Sequence, residues 1–232
     1  MKTYIDRKKI GRRAELSNLT SIGGLILLLA AVVAPLFLPK VANLAFILMV
    51  LGLGTAMVGI YFANRWVRKP RPEEMLDKAL KGLADSYHLF HYPPFPSDHL
   101  LLTPNGIVIL ETVGLGGAFT YQAGRWKEAM TIGRALRFIV EEHLGDPIQS
   151  ACRTEQFLRG QLERVIGPEV ELPFKPMVVF IHPAAELEVE KASIPVLRAD
   201  KLKKQVTIDA PRLDAGVYER LDAFLQKATL NK

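Results

Sequence analysis

The chain has 232 residues, 49% of them hydrophobic, a formal net charge of +6 and one cysteine, Cys152, which excludes an internal disulfide framework. The positive charge is concentrated, because residues 1–72 hold 11 of the 30 Lys and Arg residues and only 2 of the 24 Asp and Glu residues. Residues 73–232 therefore carry a net charge of −3. This excludes a basic globular domain that attracts nucleic acid by its overall charge.

Two uncharged apolar stretches fill most of the N-terminal third, from Ser17 to Pro39 and from Val41 to Asn64. Each is long enough to cross a hydrocarbon core of about 30 Å as a helix that rises about 1.5 Å per residue. We therefore predict transmembrane helices at about 17–38 and 42–64, joined by a tight turn at Pro39-Lys40. The lipid bilayer is the expected partner of this region.

Basic residues are distributed unevenly between the two ends of the predicted helical hairpin. Six Lys and Arg residues precede the first span and four follow the second, whereas Lys40 alone lies between the spans. The positive-inside rule then places both termini in the cytoplasm. We predict a multi-pass protein of the cell (inner) membrane, with a basic cytoplasmic N-terminus at 1–16 and a basic, proline-containing linker at 65–72.

Small residues recur at four-residue spacing in the second apolar stretch, at Gly52 and Ala56 and again at Gly59 and Ala63. Small residues at this spacing allow two membrane helices to approach closely. One use of the Gly52/Ala56/Gly59 face is to pack the second span on the first. The other use is a homodimer through the same face.

Residues 73–232 show alternating helix and strand patterns, which predict a mixed α/β domain with a sheet flanked by helices. We expect the domain to lie in the cytoplasm and to hold the chemistry of the protein. The predicted helices are 73–84, 131–144, 147–166 and 214–229, and the predicted strands and hairpins are 87–92, 99–113, 118–126, 176–183, 186–190 and 194–199.

One predicted hairpin, SDHLLLTPNGIVILETV (97–113), has a carboxylate at each end. With the turn at Asn105-Gly106, Asp98 faces Val113 and is a diagonal neighbour of Glu111. With the turn at Pro104-Asn105, Asp98 faces Glu111 directly. In both registers the two carboxylates lie close together at the open end of the hairpin. Two such oxygen ligands suit Mg²⁺ or Mn²⁺, although solvated acids at strand ends are an ordinary alternative.

Alternation along a strand separates the histidines near this hairpin. His88 and His91 are three residues apart in a predicted strand, so their side chains point to opposite faces of the sheet. His99 likewise points away from the side of Asp98. We therefore expect no metal site at His88 and His91.

The soluble part resembles the NERD (nuclease-related) domain, a family of the PD-(D/E)xK restriction-endonuclease-like superfamily. The family pattern has an early helix glutamate, then D-H, a glycine and E-x-K along a hairpin, a Gly-rich segment and a tryptophan. Here the counterparts are Glu73 or Glu74, SDHLLLTPNGIVILETV, GLGGAF and GRW. A later P-x-x-Q helix start and a terminal strand correspond to DPIQSA and SIPVLRADKL, so the resemblance covers roughly residues 73–205.

The resemblance implies a restriction-endonuclease-like core and a site that binds Mg²⁺ or Mn²⁺. Asp98 and Glu111 match the two metal-binding acids of the hairpin. Glu73 matches the helix glutamate, with Glu74 as the alternative. A metal held there would polarise a phosphodiester and lower the pKa of an attacking water. The implied partner is DNA or RNA.

Two positions depart from the family pattern. Val113 stands where the motif has its lysine, and Lys127, beside Trp126, is the candidate substitute for that charge. Gln149 follows Pro147 by two positions rather than three.

These departures leave two hypotheses for the function. The first is a membrane-anchored nuclease-related protein that processes or binds nucleic acid, with catalysis weakened or lost at Val113. The second is a catalytically inactive, membrane-tethered domain that binds protein partners. The missing lysine and the acidic charge of residues 73–232 favour the second, whereas the paired carboxylates favour the first.

Overall fold

The computed structural model describes residues 1–37, 42–67, 69–128 and 144–230. The turn predicted at Pro39-Lys40 and all but the last residue of the helix predicted at 131–144 lie outside these ranges. The described chain divides into two compact units. Of the described residues, one unit holds the helical hairpin, and the other combines Met1–Asp6 with 72–128 and 144–230.

The helical hairpin consists of α1 (Arg7–Phe37) and α2 (Ala42–Trp66). Its segments Ile10–Phe37 and Asn43–Ala63 have mean hydropathies of 2.3 and 2.2 and are long and apolar enough to cross a membrane. The prediction of two apolar helices forming a hairpin is therefore confirmed. Helix α1 begins ten residues before the predicted span, because the basic residues at its start continue the helix.

The small residues of α2 are used to pack α2 against α1. A Cβ atom added at Gly59 would lie 2.7 Å from the backbone nitrogen of Ser21, and one added at Gly52 would lie 3.0 Å from Leu28. The buried Ser17 hydroxyl donates a hydrogen bond of 3.0 Å to the Gly59 carbonyl. The Gly52/Ala56/Gly59 face thus has a partner within the chain, and dimerisation through it stays a prediction.

Among the described residues of the other unit, nine strands form two sheets. In chain order β1 to β9 they are Lys2–Ile5, His88–His91, His99–Thr103, Gly106–Val113, Gly117–Gln122, Arg125–Glu128, Phe174–Phe180, Ala185–Val189 and Val196–Arg198. The larger sheet has the order β1-β2-β3-β4-β7-β9, and the smaller has the order β6-β5-β8. Both contain parallel and antiparallel pairs, which confirms the predicted mixed sheet.

Strand β1 comes from the segment that was expected to be only a basic N-terminus. It pairs in parallel with β2, from Lys2 opposite His88 to Ile5 opposite His91, and the Tyr4 ring stacks on Phe90 at 5.0 Å. The Thr-Tyr-Ile run has the residue types that favour strands. Consequently the apolar hairpin is inserted between the first and second strands of one sheet.

Helices cover both faces of the larger sheet: α3 (Pro72–Ala79) and a 3₁₀ helix (Ala199–Lys204) on one, α4 (Pro147–Ile166) and α5 (Ala215–Leu230) on the other. Successive strand residues alternate between the two cores. Leu101 and Val108 pack with α3, whereas Leu100 and Ile109 pack with α4 and α5. The face of the sheet on which a side chain of β3 or β4 lies therefore follows from whether its residue number is odd or even.

Candidate functional site

The hairpin of β3 and β4 turns at Pro104-Asn105, because Thr103 pairs with Gly106 and Leu100 pairs with Ile109. This is the second of the two predicted registers. Gly106 has a φ of 148° and a Cβ there would collide with the Pro173 carbonyl, which accepts a hydrogen bond from Ile107. The close approach of Pro173 requires glycine at the start of β4, and the pairing of Thr103 with Gly106 excludes the turn at Asn105-Gly106.

The paired residues end at Leu100 and Ile109, and extending this register by two positions would set Asp98, which precedes β3, opposite Glu111. By alternation, Asp98 shares its face with Leu100, and Glu111 shares its face with Ile109. Leu100 and Ile109 pack on the α4 side of the sheet. Asp98 and Glu111 are both half-buried. Strand alternation therefore predicts that the two carboxylates share one face of the hairpin.

Helix α4 positions the Glu111 carboxylate. The helix begins at Pro147, with Asp146 as its N-cap accepting a hydrogen bond of 3.0 Å from the Gln149 backbone. One turn along, the Ser150 hydroxyl donates a 2.9 Å hydrogen bond to Glu111 Oε1. Ser150 is the residue three positions after Pro147, where the P-x-x-Q pattern has glutamine. At this position the Ser150 hydroxyl contacts Glu111. The Gln149 side chain instead accepts a 2.7 Å hydrogen bond from Arg153.

Glu73 lies in the first turn of α3 and is 3% exposed, whereas its neighbour Glu74 is half-buried. The Tyr92 hydroxyl donates a 2.7 Å hydrogen bond to Glu73 Oε2, and the Tyr92 backbone N–H donates to the Asp98 carbonyl. Tyr92 has a φ of 56°, a conformation that is rare and strained for an aromatic residue. Through Tyr92, Glu73 is the helix acid that is connected to Asp98.

Two buried histidines lie beside Tyr92 on the α3 side of the sheet. His91 Nδ1 and His99 Nδ1 are 2.8 Å apart, so one ring carries the proton and the other accepts it. His91 Nε2 is 3.4 Å from an Asp77 oxygen on α3. His88 is instead 2.6 Å from Asp222 on α5. The predicted separation of His88 from His91 is therefore confirmed.

Val113 lies inside an apolar cluster rather than at an open site. Its side chain is 7% exposed and packs with Phe119, Phe180 and Ile148. Lys127, the candidate substitute, is exposed on β6 of the smaller sheet, opposite Thr120. The structure thus places Lys127 and Glu111 on different sheets, and the catalytic role of Lys127 stays a prediction.

The candidate metal ligands are the carboxylates Asp98, Glu111 and Glu73. Among the residues that the structure describes, no three His, Cys, Asp or Glu side chains come together as a group that could hold a metal ion. Asp98 and Glu111 provide the hard oxygen pair that suits Mg²⁺ or Mn²⁺, with Glu73 hydrogen-bonded by Tyr92. Carboxylate oxygens are the donor type that these cations prefer.

Cys152, on α4 near Ser150, does not resemble a reactive thiol. Burial raises its pKa, and the charges of Glu155 and Asp146 raise it further. A raised pKa keeps the thiol protonated and weakly nucleophilic at neutral pH. Cysteine chemistry is therefore not part of this site.

The architecture is that of a mixed α/β domain with two apolar helices inserted after its first strand. Residues 71–181 match the family model of the nuclease-related domain (NERD), and the sequence resemblance is confirmed. The match ends at the close of β7, earlier than the expected limit near residue 205. No curated protein and no solved structure matches the chain.

Proposed function

We propose that this protein is a membrane-anchored, nuclease-related protein whose soluble domain binds or processes nucleic acid with a divalent metal ion. The NERD match supports a nuclease-like function for residues 71–181. The observation that carries the proposal is the hydrogen bond from Ser150 that holds Glu111 near the end of β4, with Asp98 immediately before the paired strand β3.

The residues of the site have separable tasks in this proposal. Asp98 and Glu111 bind Mg²⁺ or Mn²⁺, and the ion would polarise the phosphodiester and lower the pKa of its bound water. Ser150 fixes the orientation of the Glu111 carboxylate, and Tyr92 holds Glu73 beside the start of β3. Lys127 is the candidate for the charge that Val113 does not supply.

The connectivity supports a common side for the N-terminus and the domain. Strand β1 precedes α1, yet it pairs with β2, which follows α2. Two membrane crossings return the chain to the side from which it started, so α1 and α2 as spans agree with this pairing. The ten basic residues flanking the hairpin favour the cytoplasm as that side. We infer a protein of the cell membrane with its domain in the cytoplasm.

The test of this function uses the full chain, because a fragment that begins at residue 73 lacks β1. The protein in detergent or nanodiscs is incubated with DNA and with RNA, with Mg²⁺ or Mn²⁺, beside Glu111→Ala. The expected result is metal-dependent cleavage, or metal-dependent binding, that Glu111→Ala abolishes. Glu188→Ala, an exposed strand glutamate of the smaller sheet, is the matched control and should behave as wild type.

A second function is favoured by one observation, the burial of Val113 among Phe119 and Phe180. Where the resemblance implies a catalytic lysine the chain has a core residue, which is what a domain that kept its fold and lost its chemistry would show. In that case the protein is a membrane-tethered domain that binds protein partners. Absence of cleavage, of metal binding by calorimetry and of nucleic-acid binding at low salt would establish this alternative over the first.

A further inference from the structure

Five exposed lysines lie on two elements that pack side by side on one face of the larger sheet. They belong to the end of α3 with the turn that follows it and to the 3₁₀ helix, and we call them the lysine surface: Lys78, Lys81, Lys201, Lys203 and Lys204. None of them lies in the hairpin that carries Asp98 and Glu111.

The backbone of the domain holds the lysine surface together. Leu80 beside α3 and Leu202 of the 3₁₀ helix are completely buried in the same core. The Lys203 amine donates a 2.9 Å hydrogen bond to the Lys81 carbonyl, which joins the two elements directly. A 3₁₀ helix has three residues per turn, so Lys201 and Lys204 project from the same side. The charges are therefore presented by packed elements.

The carboxylates nearest to these lysines in the chain are engaged by other groups. Asp77 accepts a 3.1 Å hydrogen bond from the Thr3 hydroxyl, and Asp200 pairs with Arg198 at 3.1 Å. Residues 73–232 as a whole carry a net charge of −3, yet residues 78–84 and 201–205 contain five lysines and no acid. Positive charge is thus segregated onto this surface of an acidic domain.

We propose that the lysine surface binds the phosphodiester backbone of a nucleic acid. The inference rests on the proposed function and deepens it by naming where the substrate is held. Lysine is a point charge that binds phosphate oxygens without reading sequence, so the surface positions a strand and does not select one. The overall acidity of the domain then explains why the binding must be local.

Nucleic acid is favoured over an anionic lipid headgroup by the family match, because residues 71–181 match a nuclease-related domain and include Lys78 and Lys81. The lysine surface lies on the α3 side of the larger sheet, whereas the Glu111 carboxylate is bound by Ser150 on the α4 side. The lysines would therefore hold a strand on the opposite face of the sheet from Glu111.

The experiment compares three proteins as full chains in zwitterionic nanodiscs, without divalent metal, by fluorescence anisotropy of labelled DNA and RNA oligonucleotides over a salt series. They are wild type, Lys78→Glu/Lys201→Glu/Lys204→Glu, and the control Arg164→Glu/Arg212→Glu/Lys227→Glu, which reverses three exposed basic residues elsewhere. Lys203 is left unchanged because of its hydrogen bond to Lys81. Both variants change the net charge equally.

The lysine variant should bind at least about tenfold more weakly at low salt. Its slope of log affinity against log salt should fall by about 2–3, since each lost phosphate contact removes about 0.7–0.9. The control should bind like wild type. Equal weakening in both variants, or no weakening in the lysine variant, would overturn the lysine surface while leaving a nucleic-acid-binding protein.

Two further outcomes separate the possible partners. If wild type binds no oligonucleotide even at low salt, the proposed function itself fails and the lysine surface fails with it. If binding and its loss in the lysine variant appear in zwitterionic nanodiscs but the difference vanishes in nanodiscs containing phosphatidylserine, an anionic leaflet occupies the lysines and the inference is overturned. A difference that persists in both supports nucleic acid.

Discussion

Tyr92 is a single residue that connects two of the candidate acids. Its hydroxyl donates to Glu73 and its backbone N–H donates to the Asp98 carbonyl. The left-handed φ of 56° is what allows both contacts from one residue at the end of β2. Backbone strain of this kind persists only where the surrounding structure imposes it.

Tyr92→Phe should destabilise the domain by about 1.5–3 kcal/mol, because the buried Glu73 carboxylate loses a hydrogen bond from a neutral donor. The free energy of unfolding from denaturant titration measures the effect. Tyr87→Phe is the control, since the Tyr87 hydroxyl makes no hydrogen bond within the described residues, and it should change stability by less than about 0.5 kcal/mol. Equal effects in the two variants would argue against the role of Tyr92.

The apolar surroundings of Val113 do not suit the lysine that the family motif has at this position. A lysine at this position would bring its amine among Phe119 and Phe180. We expect Val113→Lys to lower the melting temperature of the domain, because an unpaired charge is costly in an apolar cluster. Val113→Met has a similar length without charge and should be tolerated better. Metal-dependent cleavage gained without loss of stability would contradict this expectation.

At the scale of elements, the helical hairpin depends on close backbone approach. The backbone nitrogen of Ser21 lies where a side chain at Gly59 would begin, and Ser17 bonds the Gly59 carbonyl. Gly54, on the same helix, has no atom within 4 Å of an added Cβ. The same substitution at Gly59 and at Gly54 therefore separates the loss of helix–helix packing from the effect of the new residue on the helix itself.

Gly59→Val should separate α1 from α2, since the valine cannot fit against Ser21. The measurement is unfolding of the full chain by SDS titration, followed by circular dichroism. Gly59→Val should unfold at a lower SDS fraction than wild type, and Gly54→Val should unfold as wild type does. Identical curves for the two variants would show that the hairpin is held by other contacts.

Strand β1 adds residues from before the first apolar helix to the larger sheet. Its four residues pair with a strand more than 80 positions away, and Thr3 also contacts Asp77 of α3. Asp77 in turn lies 3.4 Å from His91, the partner of His99. The segment before the first apolar helix is thus part of the sheet that carries the candidate site.

At the scale of the whole molecule, residues from the two ends of the described chain form one polar cluster. Gln226 on α5 donates to the Tyr4 hydroxyl on β1 and to Asp222, which lies 2.6 Å from His88. Burial raises the pKa of Tyr218 to about 12, with Asp222 and Tyr4 adding to the shift. Because the folded protein raises the pKa of Tyr218, the stability of the domain should depend on pH in the alkaline range.

Stability should fall as pH rises from about 10 to about 12. The folded protein holds the Tyr218 proton more tightly than the unfolded chain, whose tyrosine pKa is about 10. The contribution is therefore complete below pH 10 and lost as pH passes through the folded pKa of about 12. Melting temperatures across this range should decline less in Tyr218→Phe than in wild type. A decline of equal steepness would exclude Tyr218 as its source.

Sequence patterns predicted much of the fold because local physics governs it. Uncharged stretches of membrane length predicted α1 and α2, alternation predicted the strands and the opposite sides of His88 and His91, and the pattern at 118–126 predicted the hairpin of β5 and β6. The paired acids of SDHLLLTPNGIVILETV and the NERD resemblance also followed from residues close together in the chain.

The contacts of the site were decided by tertiary structure. The pairing of β3 with β4 uses the turn at Pro104-Asn105, the Pro173 carbonyl packs against Gly106, and Ser150 reaches Glu111 from α4. Tyr92 and β1 likewise depend on partners far away in the chain. The sequence by itself determined the apolar helices, the strand pattern and the family, because these depend on residue type and near neighbours. Only packing decided which side chains meet, because hydrogen bonds and close contacts between distant segments form once the sheet has assembled.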